Sequence, residues 1–426
     1  MKFLKLYKKI VIIIILLSFL NVSRVSAHFY YNIDTKNYYS NHINSLYNNY
    51  IDNKISYNYL FNILESIEQH TDICIDILDQ YYIKAYDFQK RIENPNLIEY
   101  HGPIRHVFFH SLIVYPQLAF DGDRMSLGYN KWMTTVKEFK LMLNNFYKKD
   151  YVLIDINLLI DEYEENGKKL IKKPIKLMLP EGKKPLIISI DDVNYLSYTE
   201  NDGFADKLVL DENGDVATLV KNLEGKKVIT RDGDVVPILD DFIKAHPDFS
   251  FNGAKGIIAV TGYEGLLGYP TQKLDSKEYA KNVIAVKRVV KKLKDTGWLF
   301  ASHSYTHDEG FLYDTISLDF LKYDSQKWKK EVGSLLGKVN IFIPPFGARF
   351  KNEDSRYRFL IEKMGFNIYC PVYAKEYSKY YFDNFVMDRI NLDGYTMYYH
   401  KYYTTPFFNS DDIIDSRRPP LPPLKK

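Results

Sequence analysis

Short apolar runs alternate with amphipathic, helix-length stretches through most of this 426-residue chain, and that alternation restricts the possible folds more than any other feature. His106–Val114, Tyr151–Ile154, Leu186–Ile190, Gly256–Thr261, Trp298–Ser302 and Ile341–Ile343 each read as a buried strand. Between them, residues 238–246, 277–295 and 324–336 carry helical periodicity. A further helix is expected after Thr134-Thr135, which can cap a stretch whose apolar face is Val136, Phe139, Leu141, Met142 and Phe146. Strands alternating with helices point to βα units, and so to an α/β parallel sheet or a distorted (β/α) barrel.

One segment breaks the alternation. Lys207 to Val236 reads as two strand pairs with turn signals at Asn213-Gly214-Asp215 and Asp232-Gly233-Asp234, a β-hairpin insertion. The Asp-rich first turn lacks the spacing of a calcium-binding loop, so an ordinary hairpin turn accounts for it. Residues 28–98 are polar and rich in Tyr and Asn; Leu60, Ile63, Leu64, Ile67 and Ile73 to Ile77 recur at helical spacing there. A helical N-terminal region is therefore expected ahead of a main domain over 99–405. Residues 406–426 close on a basic, polyproline-like run from Arg417 to Lys426, which reads as a disordered tail, with a peptide-groove ligand or spacer as the alternative.

Residues 1–27 have the layout of an export signal. Lys2, Lys5, Lys8 and Lys9 precede an apolar run from Ile10 to Leu20, and Val25-Ser26-Ala27 offers a cleavage site before His28. The run is short for a bilayer span, so a cleaved signal peptide is expected, with an uncleaved membrane tether as the alternative. Either way the protein would work at the cell surface or outside the cell. The whole chain holds 57 basic and 54 acidic residues; without the five basic residues of 1–27, 52 basic face 54 acidic. That balance does not suit a nucleic-acid binder. The two cysteines, Cys74 and Cys370, allow one disulfide and exclude a cysteine-based metal site.

Two clusters carry chemistry. Ser189-Ile190-Asp191-Asp192 ends one apolar run, and His303-Ser304-Tyr305-Thr306-His307 ends another. Two histidines four residues apart can face one divalent ion, a carboxylate can supply a third ligand, and the ion lowers the pKa of a bound water towards about 7. Of two adjacent aspartates, one can bind metal while its neighbour accepts the water's proton. Both clusters lie at strand ends, where βα proteins collect their sites.

Over roughly residues 100–395 the chain resembles the polysaccharide deacetylases of the NodB-homology type, carbohydrate esterase family 4. The family's Thr-Phe-Asp-Asp motif is met by Ser189 to Asp192, which implies Asp191 as base and Asp192 as metal ligand. Its His-Ser/Thr-x-x-His motif is met by His303 to His307, which implies both histidines as ligands, usually to zinc, with Ser304 bracing the loop. Its Phe-Arg-Pro-Pro-Tyr-Gly motif is met by Phe342 to Gly347, which implies the Phe346 backbone N–H as an oxyanion donor. His110 matches the histidine of the family's first strand. The resemblance implies a NodB-type barrel and hydrolysis of N-acetyl or O-acetyl groups on a cell-wall or extracellular polysaccharide.

The chain also departs from that pattern. Ile343 replaces the arginine that orients the base, and Arg389 is a candidate to supply the charge. Val193 replaces the glycine after the aspartates. No Leu-x-His motif supplies the acid, which leaves His400 and His110 as candidates. A non-catalytic carbohydrate-binding protein that keeps this fold is the alternative function. Thr261 to Pro270 reads either as a groove lining or as a mobile glycine-rich loop, and Trp298 reads as core.

Overall fold

The computed structural model describes residues 96–174, 176–373 and 377–424, with positions 43, 45, 46, 60 and 64 before them. The chain divides into two compact units: residues 1–96 with 244–248, and residues 97–243 with 249–426. In the first unit Ile43, Leu60 and Leu64 are helical and buried. The export segment, most of the expected helical region and Cys74 lie outside the described residues. Among the described residues no helix is long and apolar enough to cross a membrane.

The second unit is a mixed α/β structure around one curled sheet. Nine strands lie in a row in the order Ser378–Tyr380, Phe385–Met387, Ile368–Tyr369, Ile341–Phe342, Leu299–Ser302, Ile257–Val260, Lys184–Ile190, Arg105–Phe109 and Ile390–Asn391; Tyr151–Leu153 joins Lys184–Ile190 off this row. Neighbours are parallel except at Ser378–Tyr380. The curl follows from the chain path. Phe385-Val386 pairs with Ile368-Tyr369 near one end of the row, yet Ile390-Asn391 pairs with Val107-Phe108 at the other. One extended stretch thus serves both ends, and the row bends into a half-barrel. It stops short of a regular (β/α) barrel, because the strands from Ile368 to Asn391 follow one another with no helix among the described residues.

Alternation along the strands sorts side chains into two layers. Val107, Phe109, Ile188, Ile190, Ile258 and Val260 pack with Phe139, Met142, Val286, Leu293 and Trp328, residues of the helices Val136–Lys148, Tyr279–Asp295 and Leu318–Trp328. Ile187, Ala259, Ala301, Ile341, Ile368 and Met387 form a second cluster that holds no residue of those helices, so it fills the inside of the curl. Stepping on by two from Ile187, Ala301 and Met387 reaches Ser189 and Asp191, His303, and Arg389. The same parity that packs the interior therefore aims these polar side chains into it.

The insertion is a three-stranded antiparallel sheet, Ala205–Leu210, Val216–Lys221 and Lys227–Thr230. Its first turn falls at Asp211 to Asp215 as expected, but the second is at Asn222 to Lys226. Asp232-Gly233-Asp234 instead leads into helix Val235–Ala245. The buried Asp234 carboxylate explains why: it accepts the Val235 and Leu112 amides at 2.7 and 3.0 Å and the Tyr195 hydroxyl at 2.7 Å. Burial pushes this carboxyl up to about 6 in spite of those donors. The unfolded chain releases that proton near pH 4, so the folded state loses relative stability as pH rises from about 4 to about 6, by up to about 3 kcal/mol. Asp393, also raised to about 6 by burial, acts in the same direction. Asp234→Asn keeps an acceptor for both amides and will remove about half of that slope in urea unfolding measured at stepped pH.

The proline-rich end corrects the expectation of a disordered tail. Arg418 is buried, pairs with Glu138 at 2.6 Å, and donates to the carbonyls of Asn130 and Met133 at 2.8 and 2.6 Å. Glu138 also completes the capping box of helix Val136–Lys148 with Thr135. Composition reads such a segment as having nothing to bury, but one planar guanidinium with five donors is enough to anchor it. Arg418→Ala will leave Glu138 buried and unpaired and lower unfolding free energy by about 3–5 kcal/mol. Adding Glu138→Gln will restore part of that loss in the same denaturant titration.

Candidate metal centre

The aspartate strand Lys184–Ile190 and the histidine strand Leu299–Ser302 flank Ile257–Val260 and end at the same edge of the sheet. There Asp192, His303 and His307 converge, one ligand atom from each lying within 4.8 Å of the others. His303 Nε2 and His307 Nε2 each stand 3.9 Å from an oxygen of Asp192. The three lie close enough to hold one metal ion.

Their chemistry fits that role. His303 Nδ1 donates to the Ile343 carbonyl at 2.7 Å, which leaves the Nε2 lone pair facing Asp192. Burial lowers the pKa of this imidazole and favours the neutral form a ligand needs, although Asp191 and Asp192 oppose the shift. Asp192 Oδ1 is buried without a hydrogen-bond partner among the described residues, a cost that a cation would relieve.

Asp191 stands beside this cluster without joining it. Its carboxylate is almost fully buried and meets Arg389 Nη1 at 2.7 Å. Arg389 is wholly buried: it also donates to Ser189 Oγ at 3.2 Å and the Cys370 carbonyl at 3.0 Å, and its guanidinium lies 4.1 Å over the Phe108 ring. Burial alone would raise the Asp191 carboxyl; Arg389, helped by His303 and His110, overturns that and holds it at about 2. The charge absent at Ile343 is thus present on Arg389, between strands Phe385–Met387 and Ile390–Asn391. Ile343 contributes its backbone carbonyl to His303 instead.

Non-glycine residues in the left-handed region concentrate here: Asp192 (φ 57°), Ser304 (59°), His307 (52°) and Phe346 (56°). Each costs of order 1 kcal/mol, and hydrogen bonds hold the loops in place. Ser304 Oγ accepts the His307 amide at 3.0 Å. The buried Asp324 accepts the Tyr305 and Thr306 amides at 2.7 and 2.9 Å and the Thr306 hydroxyl at 2.6 Å. Asn194 accepts the Thr261 amide at 2.9 Å and donates to the carbonyls of Thr261 and Gly265, so the loop that follows is pinned, with Leu266 and Leu267 buried. Gly347 allows the third motif to turn: its φ is 68°, and a Cβ there would sit 2.4 Å from Val372.

A cavity of about 660 Å³ opens over the centre and is lined by Asp191, Asp192, His303, His307 and Phe346. The Phe346 ring is half-exposed, 4.4 Å from that of His307. His110 and His400 line the same cavity, while Arg389 lies behind it, fully buried, and reaches the site through Asp191. His110 Nδ1 is buried with no partner among the described residues, while His400 closes helix Gly394–Tyr399 with its ring 5.2 Å from Tyr395.

Asp324 and Asn194 went unread in the sequence. Asp324 left a signal: it sits on the helix face shared by Leu321 and Trp328, where an unpaired carboxylate is costly. No family model, no curated protein and no solved structure matches the chain.

Proposed function

We propose that this protein is a metal-dependent deacetylase of an acetylated cell-wall or extracellular polysaccharide, with zinc as the ion and a divergent NodB-type barrel as its frame. One observation carries the reading: an ionised carboxylate, Asp191, is buried beside a three-donor centre without being part of it, and both face one cavity. A structural metal site or a pure binder has no use for such a group, whereas a hydrolase needs it as a base.

Asp192, His303 and His307 would hold the ion, which supplies Lewis acidity and brings a water's pKa within reach of a weak base. Arg389 fixes the Asp191 carboxylate and leaves its other oxygen to accept a proton. The Phe346 N–H is the candidate donor to the oxygen that gains charge at the acetyl carbonyl. His110 and His400 are the candidates to return a proton to the departing amine or alcohol. Export by the N-terminal segment would place the protein beside such a polymer.

The test is elemental analysis of the chain from His28, followed by acetate assays on chitin oligomers, peptidoglycan and acetylated xylan. About one zinc or similar ion per chain, with acetate release that a chelator stops and zinc restores, is the expected result. No bound metal after reconstitution sinks the reading and favours a carbohydrate-binding protein on the same fold.

A further inference from the structure

The cavity has a second wall that the chemistry above does not use. Helix Ser126–Trp132 ends at Trp132, whose indole stacks on Tyr395 of helix Gly394–Tyr399 with ring centroids 5.0 Å apart and planes inclined by 30°. Both rings line the cavity. The chain has three tryptophans. Trp298 and Trp328 are buried at 1% and 2% exposure, while Trp132 stays 46% exposed. The indole thus leaves a large apolar face open to a ligand in the cavity.

Two further observations define that ligand. His110 and Asn391 line this cavity, and behind its surface His110 Nδ1 and Asn391 Oδ1 lack hydrogen-bond partners among the described residues. A ligand with one flat apolar face and a polar rim would cover the open indole and set its polar groups beside His110 and Asn391, and a pyranose ring has that form. The wall is also braced from behind. Arg418 donates to the Asn130 side chain at 3.1 Å and to the Asn130 and Met133 carbonyls, so it grips the chain on both sides of Trp132. Asn130 Nδ2 in turn donates to the Pro419 carbonyl at 2.8 Å. Gly394, at the start of the Tyr395 helix, packs so closely on Asn130 that a Cβ there would lie 2.0 Å from its carbonyl oxygen.

We infer that Trp132, backed by the stacked Tyr395 ring, forms a platform for the face of one sugar ring of the substrate, set in position by the C-terminal segment through Arg418. The inference deepens the proposed activity and rests on it for the choice of a sugar, but its test stands apart. Chitotetraose binding is measured by calorimetry on metal-stripped full-length protein, and Trp132 is followed by acrylamide quenching, since the other two tryptophans are buried. Wild type will bind. Trp132→Ala and Tyr395→Ala will weaken binding roughly ten- to thirtyfold, as expected for an aromatic anchor, with metal content intact on reloading. Arg418→Lys keeps a charge for Glu138 but gives up the forked contacts; it will raise Trp132 quenching and weaken binding while the metal content stays unchanged. No chitotetraose binding by wild type, or equal binding by wild type and Trp132→Ala, overturns the platform. Binding without any acetate release would keep the platform and sink the deacetylase; acetate release indifferent to Trp132→Ala would do the reverse.

Discussion

Asp191→Asn will lower acetate release roughly 10²- to 10⁴-fold, the usual contribution of a general base, and leave metal content unchanged. The amide has the shape of the carboxylate but cannot accept the proton. The competing explanation for any loss is misfolding, because the change leaves Arg389 buried beside a neutral partner, and breaking a buried pair costs about 3–5 kcal/mol. Arg389 keeps two other acceptors, Ser189 Oγ and the Cys370 carbonyl, so the penalty belongs at the low end of that range. Metal content separates the two explanations. Asp191 is not among the three converging donors, so a folded variant will still load its ion, whereas a misfolded one will not. Full activity in Asp191→Asn would remove the base from the mechanism. Loss of metal together with activity would make Asp191 a structural group.

The two chemical clusters were legible because of how parallel strands are built. A strand covered on both faces is a largely apolar run, and the first ionisable residue after it marks where the chain leaves the sheet. Ile190 to Asp191 and Ser302 to His303 are such boundaries. Arg389 was legible as a missing charge in search of a source. Its inward direction came only from the period of two that runs through Phe385 and Met387. What stayed hidden depends on contacts between distant residues. Nothing near Asp324 says that its carboxylate will hold the amides of Tyr305 and Thr306. Nothing in a proline-rich end says that Arg418 will pair with Glu138, 280 residues earlier. The turn at Asp232 to Asp234 misled for the same reason: its local pattern is that of a hairpin, but the Asp234 carboxylate is claimed by Leu112 and Tyr195 from elsewhere. Local rules see what a residue prefers; burial decides which preference is used.

The second large effect is on the ion itself. Replacing His303 and His307 with alanine will take the metal content from about one per chain to none after dialysis, since a lone carboxylate left of three donors is a weak ligand. The fold should survive. His307 is only partly buried, and the His303 ring gives up a single hydrogen bond to the Ile343 carbonyl. Asp324→Ala is the informative companion. It touches none of the three ligand atoms, yet it removes the acceptor for the Tyr305 and Thr306 amides that hold the strained loop between Ser304 and His307. If the centre is preorganised by that loop, Asp324→Ala will weaken metal affinity roughly 10- to 100-fold, the range found for partners behind the ligands, while zinc at saturating concentration restores acetate release. Unchanged affinity in Asp324→Ala would show that the histidines need no bracing. Retained metal in the double histidine variant would place the ion elsewhere in the molecule and end the case for this centre.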